Sequence, residues 1–155
     1  MPRLTYVLEF HRPASTTPEP NPIVAASNCV VTIITPVGLS GVFEPLREQM
    51  TASLQTTPTP PGSDGSFTEH GVVTFGDPEA NNTLAFSSIH FGYMNAYRCP
   101  EAPFTAGTVM WAIESGTGSF ENATGAITSN FLIDVSDPGI PGELIAYHFG
   151  VVYIP

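Results

Sequence analysis

The chain has 155 residues, which is the length of a single domain with a sizeable core. Its 14 acidic residues, four arginines and absence of lysine give a formal net charge of −10. This charge argues against nucleic acid and anionic membranes as partners, because both are bound through Lys and Arg. We therefore expect a neutral, apolar small molecule as the ligand.

Hydrophobic residues make up 42% of the chain and charged residues only 12%. So few charges indicate that much apolar surface is buried in a cavity or in a subunit interface. No run approaches the ~20 apolar residues of a membrane-spanning helix, and residues 1–4 lack the apolar core of a signal peptide. The sequence predicts a soluble, cytoplasmic protein without a membrane partner.

The N-terminal half mixes strand patterns with proline-rich segments. Residues 4–10 alternate and predict a strand, whereas residues 12–28 hold four prolines and predict a long extended loop. Residues 29–34 predict a buried strand with Cys29 as an unreactive thiol, and residues 37–41 predict a turn. Residues 42–57 are ambiguous between strand, which we favour, and a helical turn. Both cysteines are expected to be free thiols, and a disulfide between Cys29 and Cys99 stays open.

The C-terminal half is patterned as strands separated by turn residues. A loop is predicted at residues 58–66, strands at 67–75 and 83–91, and a longer connection at 92–104. Further strands are predicted at 105–115, 126–135 and 143–154, with a turn at 137–142. Between two of these strands lies a glycine-rich turn, residues 116–125, whose glycines permit positive φ. Phe120 is its one large apolar residue and is expected to plug the end of a core.

About eight successive strands without a long helix predict an all-β domain spanning residues 1–155. Short connections favour antiparallel pairing, and eight antiparallel strands close into a calycin-like barrel that can hold one small ligand. Residues 29–34 and 144–152 are apolar on both strand faces. A solvated barrel exterior would alternate, so we expect a second copy to cover part of the outer face.

The glycine-rich turn carries a family resemblance. Its sequence, Gly-Thr-Gly-Ser-Phe-Glu-Asn-Ala-Thr-Gly, resembles the Gly-Thr-Gly-x-Phe-x-x-Ala-x-Gly turn of the allene oxide cyclase and dirigent superfamily. The similarity covers about the C-terminal third of the chain. It implies an eight-stranded barrel, assembly as a dimer or trimer, and an apolar molecule bound inside. It also implies an activity such as the pericyclic ring closures of bacterial natural-product pathways, with little acid or base chemistry.

No signature of metal binding, nucleophilic catalysis or a cofactor is present. The four histidines lack metal-ligand spacing, and no Gly-x-Ser-x-Gly elbow occurs. What remains is a set of polar and aromatic residues within apolar strands, which could line a lumen. The candidate acid, base or proton-transfer residues are Glu69, His90 and Tyr147, and the candidate substrate-binding residues are Trp111, Tyr93, Phe86, Met110 and Phe131.

The leading functional hypothesis is a cofactor-independent cyclase or isomerase that folds an apolar metabolite into a reactive geometry. Such positioning can remove ~7–11 kcal/mol of barrier in the best intramolecular cases. The alternative is a non-catalytic barrel that carries a hydrophobic molecule. A third possibility is a structural protein whose lumen is filled by side chains.

Overall fold

The computed structural model describes residues 3–15, 22–42, 47–97, 103–137 and 139–155. Within these ranges the chain forms twelve β-strands and two short 3₁₀ turns. The strands are β1 (Arg3–Arg12), β2 (Ile23–Ser27), β3 (Thr32–Thr35), β4 (Gly38–Ser40), β5 (Ala52–Pro58), β6 (Ser66–Phe67), β7 (Glu69–Phe75), β8 (Thr83–Ser88), β9 (Gly92–Tyr97), β10 (Phe104–Gly116), β11 (Thr124–Asp134) and β12 (Leu144–Tyr153). The 3₁₀ turns span Pro78–Ala80 and Gly118–Phe120, and neither described helix could cross a membrane.

Eight of the strands close into a barrel, which confirms the predicted all-β, eight-stranded antiparallel fold. The order around the barrel is β1, β2, β5, β7, β8, β10, β11, β12 and back to β1. Each of these pairs is antiparallel. The longest pairings join β1, β12, β11 and β10, so this side of the barrel is a continuous wall.

Two small additions extend the barrel wall. The hairpin of β3 and β4 pairs with the first half of β1, whereas β2 pairs with the end of that strand. In the same way β9 pairs with the first half of β10, and β8 pairs with its second half. The two-residue strand β6 adds to β9. The long strands β1 and β10 therefore change neighbours part-way along their length.

Side-chain alternation explains why the strands close around a core. On β1, Leu4, Tyr6, Leu8 and Phe10 are buried, and the residues between them are partly exposed. The strand β12 shows the same period of two. Because successive strand residues point to opposite faces, each strand sends one apolar row into the barrel. These rows form the hydrophobic core.

The glycine-rich turn closes one end of the barrel, as the sequence predicted. Phe120 is 0% exposed, and its ring lies 5.0 Å from that of Phe75. Gly118 and Gly125 have φ of 59° and 143°, and a side chain at Gly125 would overlap the carbonyl oxygen of Val151. These two positions therefore require glycine.

Several predicted boundaries were wrong. Proline and glycine nearby indicated loops or turns, but pairing with neighbouring strands holds these residues in strands. Strand Ile23–Ser27 lies inside the predicted loop of residues 12–28, where its own five residues contain no proline. Strand Gly92–Tyr97 lies inside the predicted connection of residues 92–104, and it is held by β10. Strand Gly38–Ser40 lies inside the predicted turn of residues 37–41. The predicted strand at 67–75 is divided between β6 and β7.

The prediction that Cys29 is buried was also wrong. Its thiol is free and exposed, because strand β3 begins only at Thr32. Cys99 and residues 43–46 lie outside the described residues. In the ambiguous segment of residues 42–57, the strand prediction is confirmed from Ala52 onward, and strand Ala52–Pro58 extends one residue into the predicted loop.

Candidate ligand cavity

An apolar cavity occupies the barrel end opposite the glycine-rich turn. It encloses about 500 Å³ of space including its open mouth, of which about 70 Å³ can hold the centres of water-sized molecules. Most of its wall is aliphatic or aromatic, and its polar side chains are few. The strands β2, β5, β6, β7, β9, β10, β11 and β12 all contribute to this wall. A space of this kind suits a small, largely uncharged molecule.

Glu69 is the acidic residue in the cavity wall, and it is fixed by hydrogen bonds on both carboxyl oxygens. The indole Nε1 of Trp111 donates to Oε1 at 3.0 Å, and the hydroxyl of Thr56 donates to Oε2 at 2.8 Å. Its backbone N–H also donates to the Ser88 hydroxyl at 2.8 Å. Glu69 is 9% exposed, so the carboxyl group is held in place in a nearly dry environment.

Burial raises the pKa of Glu69 above its ordinary value, although the hydrogen bonds from Thr56 and Trp111 oppose that rise. Thr56 is suited to both protonation states of the carboxyl. Its hydroxyl lies 2.8 Å from Oε2 and 3.3 Å from the carbonyl oxygen of His70. The hydroxyl can donate to the carboxylate, or accept from the carboxylic acid while donating to His70. Glu69 can therefore change its charge without losing a partner at this oxygen.

Trp111 connects the carboxyl group to the interior of the barrel. Its ring stacks on Phe86 with centroids 4.0 Å apart and planes 17° apart, and it is 1% exposed. The ring of His148 lies 4.8 Å from that of Trp111 in an edge-on arrangement. Stacking on one face and the hydrogen bond at Nε1 fix the orientation of the indole.

His148 lies one layer deeper than the cavity floor. It follows the cavity residue Ala146 by two positions on the inner face of β12, and in register it is opposite Leu8 and Ser129. Its imidazole is 1% exposed, and neither ring nitrogen has a hydrogen-bond partner among the described residues. This burial lowers the pKa of His148 to about 3, so the ring is neutral near pH 7.

The structure brings together part of the predicted site. Glu69, Trp111 and Phe131 line the cavity. Phe86 stacks on the ring of Trp111 but is not part of the cavity wall. His90 follows the end of β8 and is exposed. Three further candidates point away from the lumen and are about half exposed, namely Tyr93 at 49%, Met110 at 48% and Tyr147 at 49%.

The expectation that those four side chains line the lumen was therefore wrong. Met110 precedes the inward Trp111, and Tyr147 precedes the inward His148, so each takes the opposite strand face. Tyr147 lies opposite Glu9 on the outer surface, and a hydrogen bond to that carboxylate raises the pKa of Tyr147.

Sequence reasoning missed Thr56 and Ser129, and it did not select His148. The apolar alternation of β5 around Leu54 could have placed Thr56 on the inner face. In the same way, Ser129 follows Ile127 by two positions on β11, so both side chains take the inner face. For β12 no such signal exists, because both faces of this strand are apolar.

Among the described residues, no group of three His, Cys, Asp or Glu side chains is placed to hold a metal ion. Comparisons with protein-family models, with curated proteins and with solved structures find no match. The cavity itself is therefore the feature that bears on function.

Proposed function

We propose that this barrel binds a small, uncharged, largely apolar metabolite and isomerises or cyclises it inside the cavity, with Glu69 as the proton-transferring residue. The observation that carries this proposal is a buried carboxyl group in a largely apolar wall, fixed by Trp111 and Thr56. A carboxyl whose pKa is raised by burial is a common form of general acid.

The chemistry requires no further reactant. In an isomerisation, the Glu69 carboxylic acid donates its proton to an unsaturated carbon of the substrate. The resulting carboxylate then removes a proton from a neighbouring carbon, so a double bond moves and the enzyme returns to its starting state. The Thr56 hydroxyl can bond to Oε2 in both protonation states: it donates to the carboxylate and accepts from the carboxylic acid. A pericyclic closure would instead depend on the cavity shape and leave Glu69 unchanged.

The experiment is a product screen with a matched pair of variants. The protein is incubated with a panel of uncharged polyenes, epoxides and enones, and liquid chromatography with mass spectrometry detects products of unchanged mass. In Glu69→Gln the amide can accept from Trp111 and donate to Thr56, so the geometry is retained while proton transfer is lost. Glu121→Gln makes the same change at an exposed position and serves as the control.

Loss of general acid catalysis is expected to lower the rate of product formation by about 10²- to 10⁴-fold in Glu69→Gln. The rate in Glu121→Gln should equal that of the wild type. Equal turnover in Glu69→Gln and the wild type would remove the proton-transfer role and leave ring closure by shape alone. Failure of every compound to bind would overturn the proposal.

A carrier is the second candidate, and one observation favours it. Both Glu69 oxygens already accept hydrogen bonds from the protein. A carboxyl group held in this way can serve as a fixed polar contact for a bound molecule without reacting with it. In this case the screen would return bound compounds chemically unchanged.

We also propose that a second copy of the chain covers the outer wall formed by β10, β11 and β12. Exposed large apolar side chains gather there, including Met110, Leu132, Tyr147 and Phe149. Met110 and Phe149 both lie opposite Thr128 in register, so the patch is continuous across the three strands. Two copies of charge −10 repel each other least through a nearly uncharged face. We propose a homodimer, and a trimer is the alternative assembly.

A further inference from the structure

The feature that the proposed function does not use is the buried imidazole beneath the cavity. A neutral histidine carries one N–H donor and one nitrogen acceptor. In His148 both atoms are shielded from solvent and have no partner among the described residues. Buried polar atoms in folded proteins almost always have a partner, and leaving one without a partner is costly. An arrangement of this kind needs an explanation.

The neighbours of the ring do not supply one. Phe10 lies 4.6 Å from it, centroid to centroid, and Trp111 presents its ring at 4.8 Å while its N–H donates to Glu69. Leu8, the register partner on β1, is apolar. Ser129, the partner on β11, forms no hydrogen bond with the imidazole, although it carries a hydroxyl. The protein therefore surrounds the two nitrogens without satisfying them.

The cavity is close enough to supply the missing partner. Trp111, Ser129 and Ala146 line the cavity, and all three adjoin His148 by ring contact, by register or by strand spacing. Residues two apart on a strand are separated by about 7 Å, so the imidazole lies about one side-chain layer below the cavity floor. At Ala146 that layer is thin, because its side chain is a single methyl group. His148 itself is not part of the cavity wall, so a polar atom of a bound molecule would have to pass beside Ser129 to reach the ring.

We infer that His148 and Ser129 form a polar subsite that selects an apolar ligand bearing one uncharged hydroxyl or carbonyl group at its buried end. This inference rests on the proposed ligand cavity and specifies its ligand class. The imidazole donates to a carbonyl from its N–H, or accepts from a hydroxyl at its bare nitrogen, because either tautomer is available. A carboxylate is disfavoured, since the described residues that line the cavity include no cationic side chain and Glu69 lies in its wall.

The test compares n-octanol with n-octane, which share a chain of eight carbons. Each displaces a fluorescent apolar probe, N-phenyl-naphthylamine, from the wild type and from His148→Phe. Phenylalanine keeps an aromatic ring but has no nitrogen. Comparing the ratio of the two dissociation constants between two proteins cancels the difference in how well water dissolves the two compounds. His70→Phe makes the same replacement on the exposed face of β7 and is the control.

One buried hydrogen bond predicts that the preference for octanol over octane is about tenfold stronger in the wild type than in His148→Phe. His70→Phe should match the wild type. An unchanged ratio in His148→Phe overturns the subsite while leaving the cavity intact as a binding site. Failure of both compounds to bind the wild type overturns the cavity and the subsite together.

A spectroscopic measurement on the wild type decides the matter if His148→Phe does not fold. Octanol should shift the imidazole nitrogen NMR signals of His148, because a new hydrogen bond fixes one tautomer. Octane should leave them nearly unchanged. Equal shifts with both compounds would assign the ring a packing role only.

Discussion

Replacement of His148 by phenylalanine should make the protein resistant to acid. The pKa of this residue falls from 6.5 to about 3 on folding because the ring is completely buried. As the pH falls, the unfolded chain therefore takes up this proton first, and the free energy of unfolding decreases between about pH 6.5 and pH 3. Between about pH 7.5 and pH 4.5 the loss from this residue alone is about 3 kcal/mol, at 1.36 kcal/mol per pKa unit.

The assay is urea unfolding of the wild type and of His148→Phe at both pH values, followed by the fluorescence of Trp111. Carboxylate titration changes the stability of both proteins alike, and any cost of fitting the larger ring does not depend on pH. The difference between the two pH dependences therefore isolates the imidazole. An equal loss of stability in both proteins would refute the reasoning, because it would mean that His148 is solvated or already charged.

Three further changes test other parts of the structure. Glu69→Gln should gain stability over the wild type as the pH rises above about 4.5, because the raised pKa makes ionisation of the folded carboxyl unfavourable; equal pH dependence in urea unfolding would contradict this. Trp111→Phe leaves Glu69 Oε1 without its donor and should cost about 1–3 kcal/mol in urea unfolding followed by circular dichroism, since this variant has no tryptophan fluorescence. Phe149→Glu should convert the proposed dimer to a monomer in sedimentation velocity, whereas a wild type that is already monomeric would remove the proposed interface.

The barrel itself was predictable because the C-terminal strands are long and the turns between them have distinctive residues. Strands β10, β11 and β12 matched their predicted bounds within two residues at each end. Phe120 was predicted to plug the core because it is the single large apolar residue in a turn of small ones. The short strands β2 and β9 could not be predicted in this way, because their pairing to longer neighbours overrides weak local propensity.

The site was harder to predict because the direction of a side chain depends on the phase of its strand. In β7 a threonine at position 74 marks the outer face, so Glu69 falls on the inner face with Val73 and Phe75. In β12 the two phases are equally apolar, and the sequence cannot decide between Tyr147 and His148. Only the register with β1 and β11 places the histidine inside.

The proposed function and the polar subsite both require that the cavity beside Glu69 and Trp111 admits a small uncharged molecule. Trp111 is the single tryptophan of the chain, so its indole N–H gives one NMR signal that needs no assignment. Titration with n-octanol should move this signal saturably, because the indole lines the cavity and donates to Glu69. A signal that stays fixed while octanol reaches its solubility limit would contradict the account.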